Sequence, residues 1–101
     1  MIKKQFLKTK PVCKVTFTVP TDAVGEVEKV QLVGDFSQWL EAPIDMKKNK
    51  DGSFKTTVNL ETGKEYQFRY FIDGQRWEND GEADAYRPAG VSYDDNSVVT
   101  V

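Results

Sequence analysis

Lys64-Glu65-Tyr66-Gln67-Phe68-Arg69-Tyr70-Phe71-Ile72-Asp73 decides the fold. In an extended chain Tyr66, Phe68, Tyr70 and Ile72 fall on one side, and Gln67, Arg69 and Phe71 on the other. That two-residue period belongs to a strand with one apolar face, not to a helix. The same period recurs upstream, where Cys13, Val15, Phe17 and Val19 alternate with Lys14, Thr16 and Thr18. It appears again in Lys29 to Gly34 and in Phe54, Thr56, Val58 and Leu60. Shorter strands are expected around Ile44 to Met46 and Arg76 to Asn79, with a last one at Asn96 to Val101. Lys50-Asp51-Gly52-Ser53 reads as a tight turn, because glycine tolerates the positive φ such turns need. No stretch predicts a convincing helix, and Pro20 to Glu28 reads as a polar loop.

About seven short antiparallel strands with regularly spaced turns predict an all-β, immunoglobulin-like β-sandwich. Leu60-Glu61-Thr62-Gly63-Lys64-Glu65-Tyr66 has the spacing of a tyrosine corner, in which the Tyr66 hydroxyl bonds back to upstream backbone. With 101 residues, 39% of them hydrophobic, the chain is long enough for one core. Residues 1–11 read as an N-terminal extension and residues 12–101 as the sandwich domain.

Composition narrows the function. The net charge of −2, without an evident basic stripe, argues against nucleic acid and against a membrane surface as partners. The N-terminal stretch lacks the apolar run of a signal peptide or membrane span. The single cysteine, Cys13, lies in a strand pattern and is expected to be a small buried hydrophobe. These features together predict a cytoplasmic location. There is no histidine, so Ser/His/Asp and Cys/His catalysis cannot be assembled. No phosphate-cradling loop is present, and a thin sandwich leaves little room for a carboxylate-lined cleft. The chain is therefore expected not to be an enzyme and to need no cofactor. Asn79 to Asp84 with Asp94-Asp95 misses the ligand spacing of a calcium loop, so a solvated acidic loop is expected and no metal.

Trp39 and Trp77 carry more information, because both follow strand ends or hairpin tips. A large ring on a surface loop either folds back or is offered to a ligand. The C–H face of a pyranose packs flat on an indole, so a pair of such rings could grip consecutive sugars. For Trp77 the hairpin loop decides. A two-residue loop, Asp73-Gly74, sets it opposite Tyr70 and into the core. A three-residue loop, Asp73-Gly74-Gln75, sets it opposite Phe71 and on the face of Arg69. Residue pattern alone leaves both open.

Val30-Gln31-Leu32-Val33-Gly34-Asp35-Phe36-Ser37-Gln38-Trp39, Gly52-Ser53-Phe54, Tyr66 through Gly74, Trp77 and Asn96-Ser97-Val98-Val99 together resemble carbohydrate-binding module family 48. That family includes the glycogen-binding domain of the AMP-activated protein kinase β subunit and the early-set domains of isoamylase and branching enzymes. The resemblance spans roughly residues 12 to 101. It implies an immunoglobulin-like fold, the three-residue hairpin, and recognition of α-1,4-linked glucan such as glycogen, starch or maltooligosaccharide. Trp39 and Trp77 match the two stacking tryptophans of the binding members. Arg69 stands where those members carry a sugar-contacting lysine, and Asn96 matches a sugar-contacting asparagine. Tyr93 lies where the kinase domains place a protruding leucine, and it is the candidate replacement. Because many early-set domains bind no sugar, a second expectation is a protein-interaction module. Such a module would dock on a glycoside hydrolase, a glucan-branching enzyme or a kinase-like partner.

Overall fold

A computed structural model describes residues 1–89 and 95–101. Its strands are β1 (Ile2–Phe6), β2 (Val12–Val19), β3 (Val30–Gly34), β4 (Ile44–Asp45), β5 (Lys47–Lys48), β6 (Phe54–Glu61), β7 (Glu65–Ile72), β8 (Arg76–Glu78), β9 (Ala85–Pro88) and β10 (Asp95–Thr100). They form two antiparallel sheets. The smaller has the order β1-β2-β6-β5, and the larger β4-β3-β7-β10-β9 with β8 also pairing to β7. The expected all-β sandwich is what the chain adopts.

Several details depart from the sequence reading. Ile2–Phe6, in the segment read as an extension, pairs along its length with β2, Lys4 lying opposite Val15. The strand expected at Ile44 to Met46 is reduced to Ile44–Asp45 in the larger sheet, and a further short strand, Lys47–Lys48, joins the smaller one. Thr21–Val24 forms one turn of helix, α1, inside the expected loop. Strand β9 had no period strong enough to be seen.

Inner-facing residues of both sheets make the core. Val15, Phe17, Leu32, Phe54, Phe68, Ile72 and Val99 are buried in one cluster, with Cys13 among them as expected. Phe17 and Phe68 meet edge to face across the sheets, their centroids 5.1 Å apart, a favoured aromatic geometry. The tyrosine corner forms as predicted, with the Tyr66 hydroxyl donating to the Glu61 carbonyl at 3.0 Å.

The acidic segment after β8 is not simply solvated. Asp80 is 2% exposed. Its carboxylate accepts the Tyr70 hydroxyl at 2.7 Å, the Glu82 amide at 2.8 Å and the Met1 ammonium at 2.9 Å. Burial, with Asp80 beside it, pushes the Tyr70 phenol well above its ordinary range. Among the described residues no cluster of three or more His, Cys, Asp or Glu could hold a metal. No helix among them is long and apolar enough to cross a membrane.

Candidate functional site

Strand β7 organises the candidate site. Along one edge it pairs with β3; along the other it pairs first with β10 and then with β8. Ser97 opposes Phe68 and Glu78 opposes Tyr70, so Arg69 stands at the junction where β10 gives way to β8.

The β7–β8 connection is the three-residue loop. Ile72 opposes Arg76 and Phe71 opposes Trp77. The Gln75 amide donates to the Ile72 carbonyl at 3.0 Å. Asp73 and Gly74 both have positive φ, 51° and 68°, as a type I′ turn requires. Asp73 tolerates this because its carboxylate is held, accepting the Glu28 and Lys29 amides at 2.9 and 2.8 Å. With that register Trp77 shares the outer face with Phe71 and Arg69. The residue is 37% exposed, and its ring stacks on Phe71 at 4.4 Å between centroids, tilted by 32°. An exposed ring backed by a second ring is firmly aimed, because it cannot turn without losing that contact.

Trp39 is placed by a different device. Gly34 ends β3 so close to β7 that a Cβ there would sit 2.5 Å from the Gln67 carbonyl oxygen and 2.8 Å from the Phe68 Cβ. Only glycine permits that approach. The chain then turns through two one-turn 3-10 helices, Asp35–Ser37 and Trp39–Glu41. Gln38 and Trp39 both take left-handed backbone, φ 54° and 55°, which costs of order 1–3 kcal/mol per residue. The Ser37 hydroxyl offsets this by accepting the Gly34 amide at 3.0 Å. Trp39 is half-buried and lies outside the core cluster. Its indole N–H donates to one oxygen of Asp35 at 3.2 Å, and the other oxygen accepts the Gln67 amide at 2.8 Å. One carboxylate thus ties the ring to the start of β7. Gln67, at that anchor, and Phe71, behind Trp77, are four residues apart on one strand, roughly 13 Å.

Arg69 and Asn96 come together between these anchors. Arg69 Nε donates to Asn96 Oδ1 at 2.6 Å, and Asn96 Nδ2 donates to Gln67 Oε1 at 3.0 Å. Both are nearly buried, at 9% and 7% exposure, so they form the floor of the face more than its surface. Val33, opposite Arg69, is fully buried on this same side. Tyr93 lies outside the described residues. Phe71, Gln67 and Asp35 were absent from the predicted set. Alternation with Arg69 could have nominated the first two, whereas nothing in the pattern marks Asp35 as an anchor. An open cleft elsewhere, lined by Thr21, Val27, Glu28, Lys48 and Asp51, contains none of the predicted residues.

Residues 21–94, which carry both tryptophans, Arg69 and the hairpin, match the family described as the glycogen recognition site of AMP-activated protein kinase. The chain belongs to that family. The family-48 resemblance is thereby borne out, and with it the assignment to a carbohydrate-binding class of module. Among solved structures the chain is similar to the enterobactin esterase of Shigella flexneri, with a TM-score of 0.72 at 12% identity. That likeness covers 99% of this chain and 32% of the esterase, so the chain spans about a third of its length. At such identity the likeness to the esterase shows the fold alone. No curated protein matches. Within the glycogen-recognition family, then, this chain has a partly exposed aromatic stack and a buried polar floor on its larger sheet.

Proposed function

We propose that the outer face of the larger sheet binds α-1,4-linked glucan without catalysis. The observation that carries this reading is the exposed Trp77 ring stacked on Phe71 at 4.4 Å. Trp77 would take the C–H face of one glucose, and Trp39, held by Asp35, would take a neighbour along the chain. Arg69 and Asn96, bonded to each other, would keep the floor rigid and offer polar edges to the sugar hydroxyls. A face already formed loses little entropy on binding, yet hydroxyls must shed water, so affinity for a short oligosaccharide should be modest. Polymeric glycogen or starch would compensate with many sites.

Titration with maltoheptaose while following tryptophan fluorescence tests the reading. A saturable change is expected, together with retention on glycogen that Trp77→Ala and Trp39→Ala each abolish. No change and no retention by the wild-type chain would overturn it.

A second reading is favoured by the fold's occurrence as a third of a larger enzyme chain. In it the module docks on a glucan-metabolising enzyme or kinase-like partner and ignores sugar. It predicts association that survives Trp39→Ala with Trp77→Ala, and no glycogen retention by wild type.

A further inference from the structure

The charge of the molecule is divided unevenly between the smaller sheet and the rest of the chain. Residues 1–19 and 46–61, which build the smaller sheet, carry nine of the fourteen lysines and arginines but two of the sixteen acids, a net charge of +7. The remainder of the chain is left with −9. The overall value of −2, which argued against anionic partners, is the near-cancellation of a basic smaller sheet and an acidic remainder, most of whose acids lie outside the strands of the larger sheet.

The pairing register shows where these lysines lie. On β2, β6 and their neighbours the inner positions are Cys13, Val15, Phe17 and their partners. The outer positions are therefore Lys3, Lys14, Thr16, Thr18, Lys47, Lys55, Thr57 and Asn59. Lys3, Lys14, Lys47 and Lys55 are exposed, and none is in an ion pair among the described residues. Lys47 lies directly opposite Lys55, an arrangement of like charges that weakens a sheet. Lysines on the edge strands β1 and β5 have a ready explanation, since they discourage pairing with other chains. That does not cover Lys14 and Lys55 on the central strands, nor Lys8, Lys10 and Lys50 at the hairpin tips.

The kind of polyanion follows from what else the face contains. Every cation in these two segments is lysine, with no arginine and no tryptophan or tyrosine. Interfaces with proteins favour arginine and aromatic anchors and are depleted in lysine. Single-stranded nucleic acid wants stacking rings, and these two segments form no helix that could enter a duplex groove. A dispersed layer of lysines with short threonines between them suits a planar surface of negative headgroups. At its rim the turn after β1 adds Lys8 and Lys10, both exposed.

We propose that the outer face of the smaller sheet docks on an anionic phospholipid surface, leaving the larger sheet turned away from it. Vesicle co-sedimentation of the full chain is the test, using phosphatidylcholine alone or with about a third phosphatidylserine. Binding is expected only to the anionic vesicles at 50 mM salt and should disappear at 0.5 M, where screening is short-ranged. Lys14→Gln with Lys55→Gln should weaken it roughly thirtyfold, at about fivefold per lysine, and adding Lys3→Gln should weaken it further. Retention on glycogen should stay unchanged in these variants, so failure here is separable from failure of the sugar reading. Absence of binding to the anionic vesicles at low salt would overturn the proposal. So would equal binding to double-stranded DNA, which marks a general polyanion site, or salt-sensitive self-association, which marks a second copy as the occupant.

Discussion

The two sheets share a core and treat their outer faces oppositely. In β2 and β6 burial alternates residue by residue, and outward positions such as Lys14, Lys55 and Asn59 are exposed. In β3, β7 and β10 the alternation is lost. Val33, Arg69, Asn96 and Val98 are buried on the side away from the core. A strand buried on both faces has a second structure to maintain. Here that structure is the Arg69–Asn96–Gln67 chain with the Phe71–Trp77 stack beside it. The wet face of the smaller sheet stores charge, whereas the partly dry face of the larger one stores geometry.

The comparison can be broken from the inside first. Phe68→Ala, at a fully buried position shared by both sheets, should cost about 3–5 kcal/mol. Urea unfolding should show a lower midpoint and a single transition. Trp77→Ala should act on the larger sheet alone. Its stability loss should be near 1 kcal/mol, from the stacking with Phe71, while glycogen retention disappears. Tyr66→Phe should cost about 1 kcal/mol through the lost bond to Glu61, with retention on glycogen intact.

The smallest effect concerns Asp84, which links the sheets by accepting Lys4 at 2.7 Å and the Thr100 amide at 2.7 Å. Burial disfavours its charge, but Lys4 and the Thr100 amide outweigh that and hold its carboxyl below the usual range. A carboxyl lowered in the folded state gives stability that is complete above its unfolded pKa. That stability fades as pH falls through the folded value. Thermal unfolding between pH 5 and pH 2 should therefore be less acid-sensitive in Asp84→Asn.

How much could be read in advance follows the same division. The strands of the smaller sheet and the inner face of β7 were legible, because one apolar face against water leaves a clean two-residue period. Strand β1 was not: Ile2, Lys4 and Phe6 face inward at an edge, where a lysine is tolerated and blurs the pattern. Strand β9, Ala85–Pro88, is mostly exposed and carries almost no hydrophobic signal. Trp77's side depended on loop length, which the residues around Gly74 permit but do not impose. Trp39's anchor depended on Asp35, whose partner Gln67 is 32 residues away, beyond any local pattern. The charge separation was in plain view in the sequence, yet it has no meaning until the strands are sorted into sheets.

The odd number of residues at the β7–β8 tip has an evolutionary corollary. Deleting one of them would reverse the parity of β8 and swing its indole inward, though every residue of the candidate site stayed the same. A descendant could thus forfeit the proposed glucan site through a single codon lost at a distance, and a search for missing tryptophans would never notice.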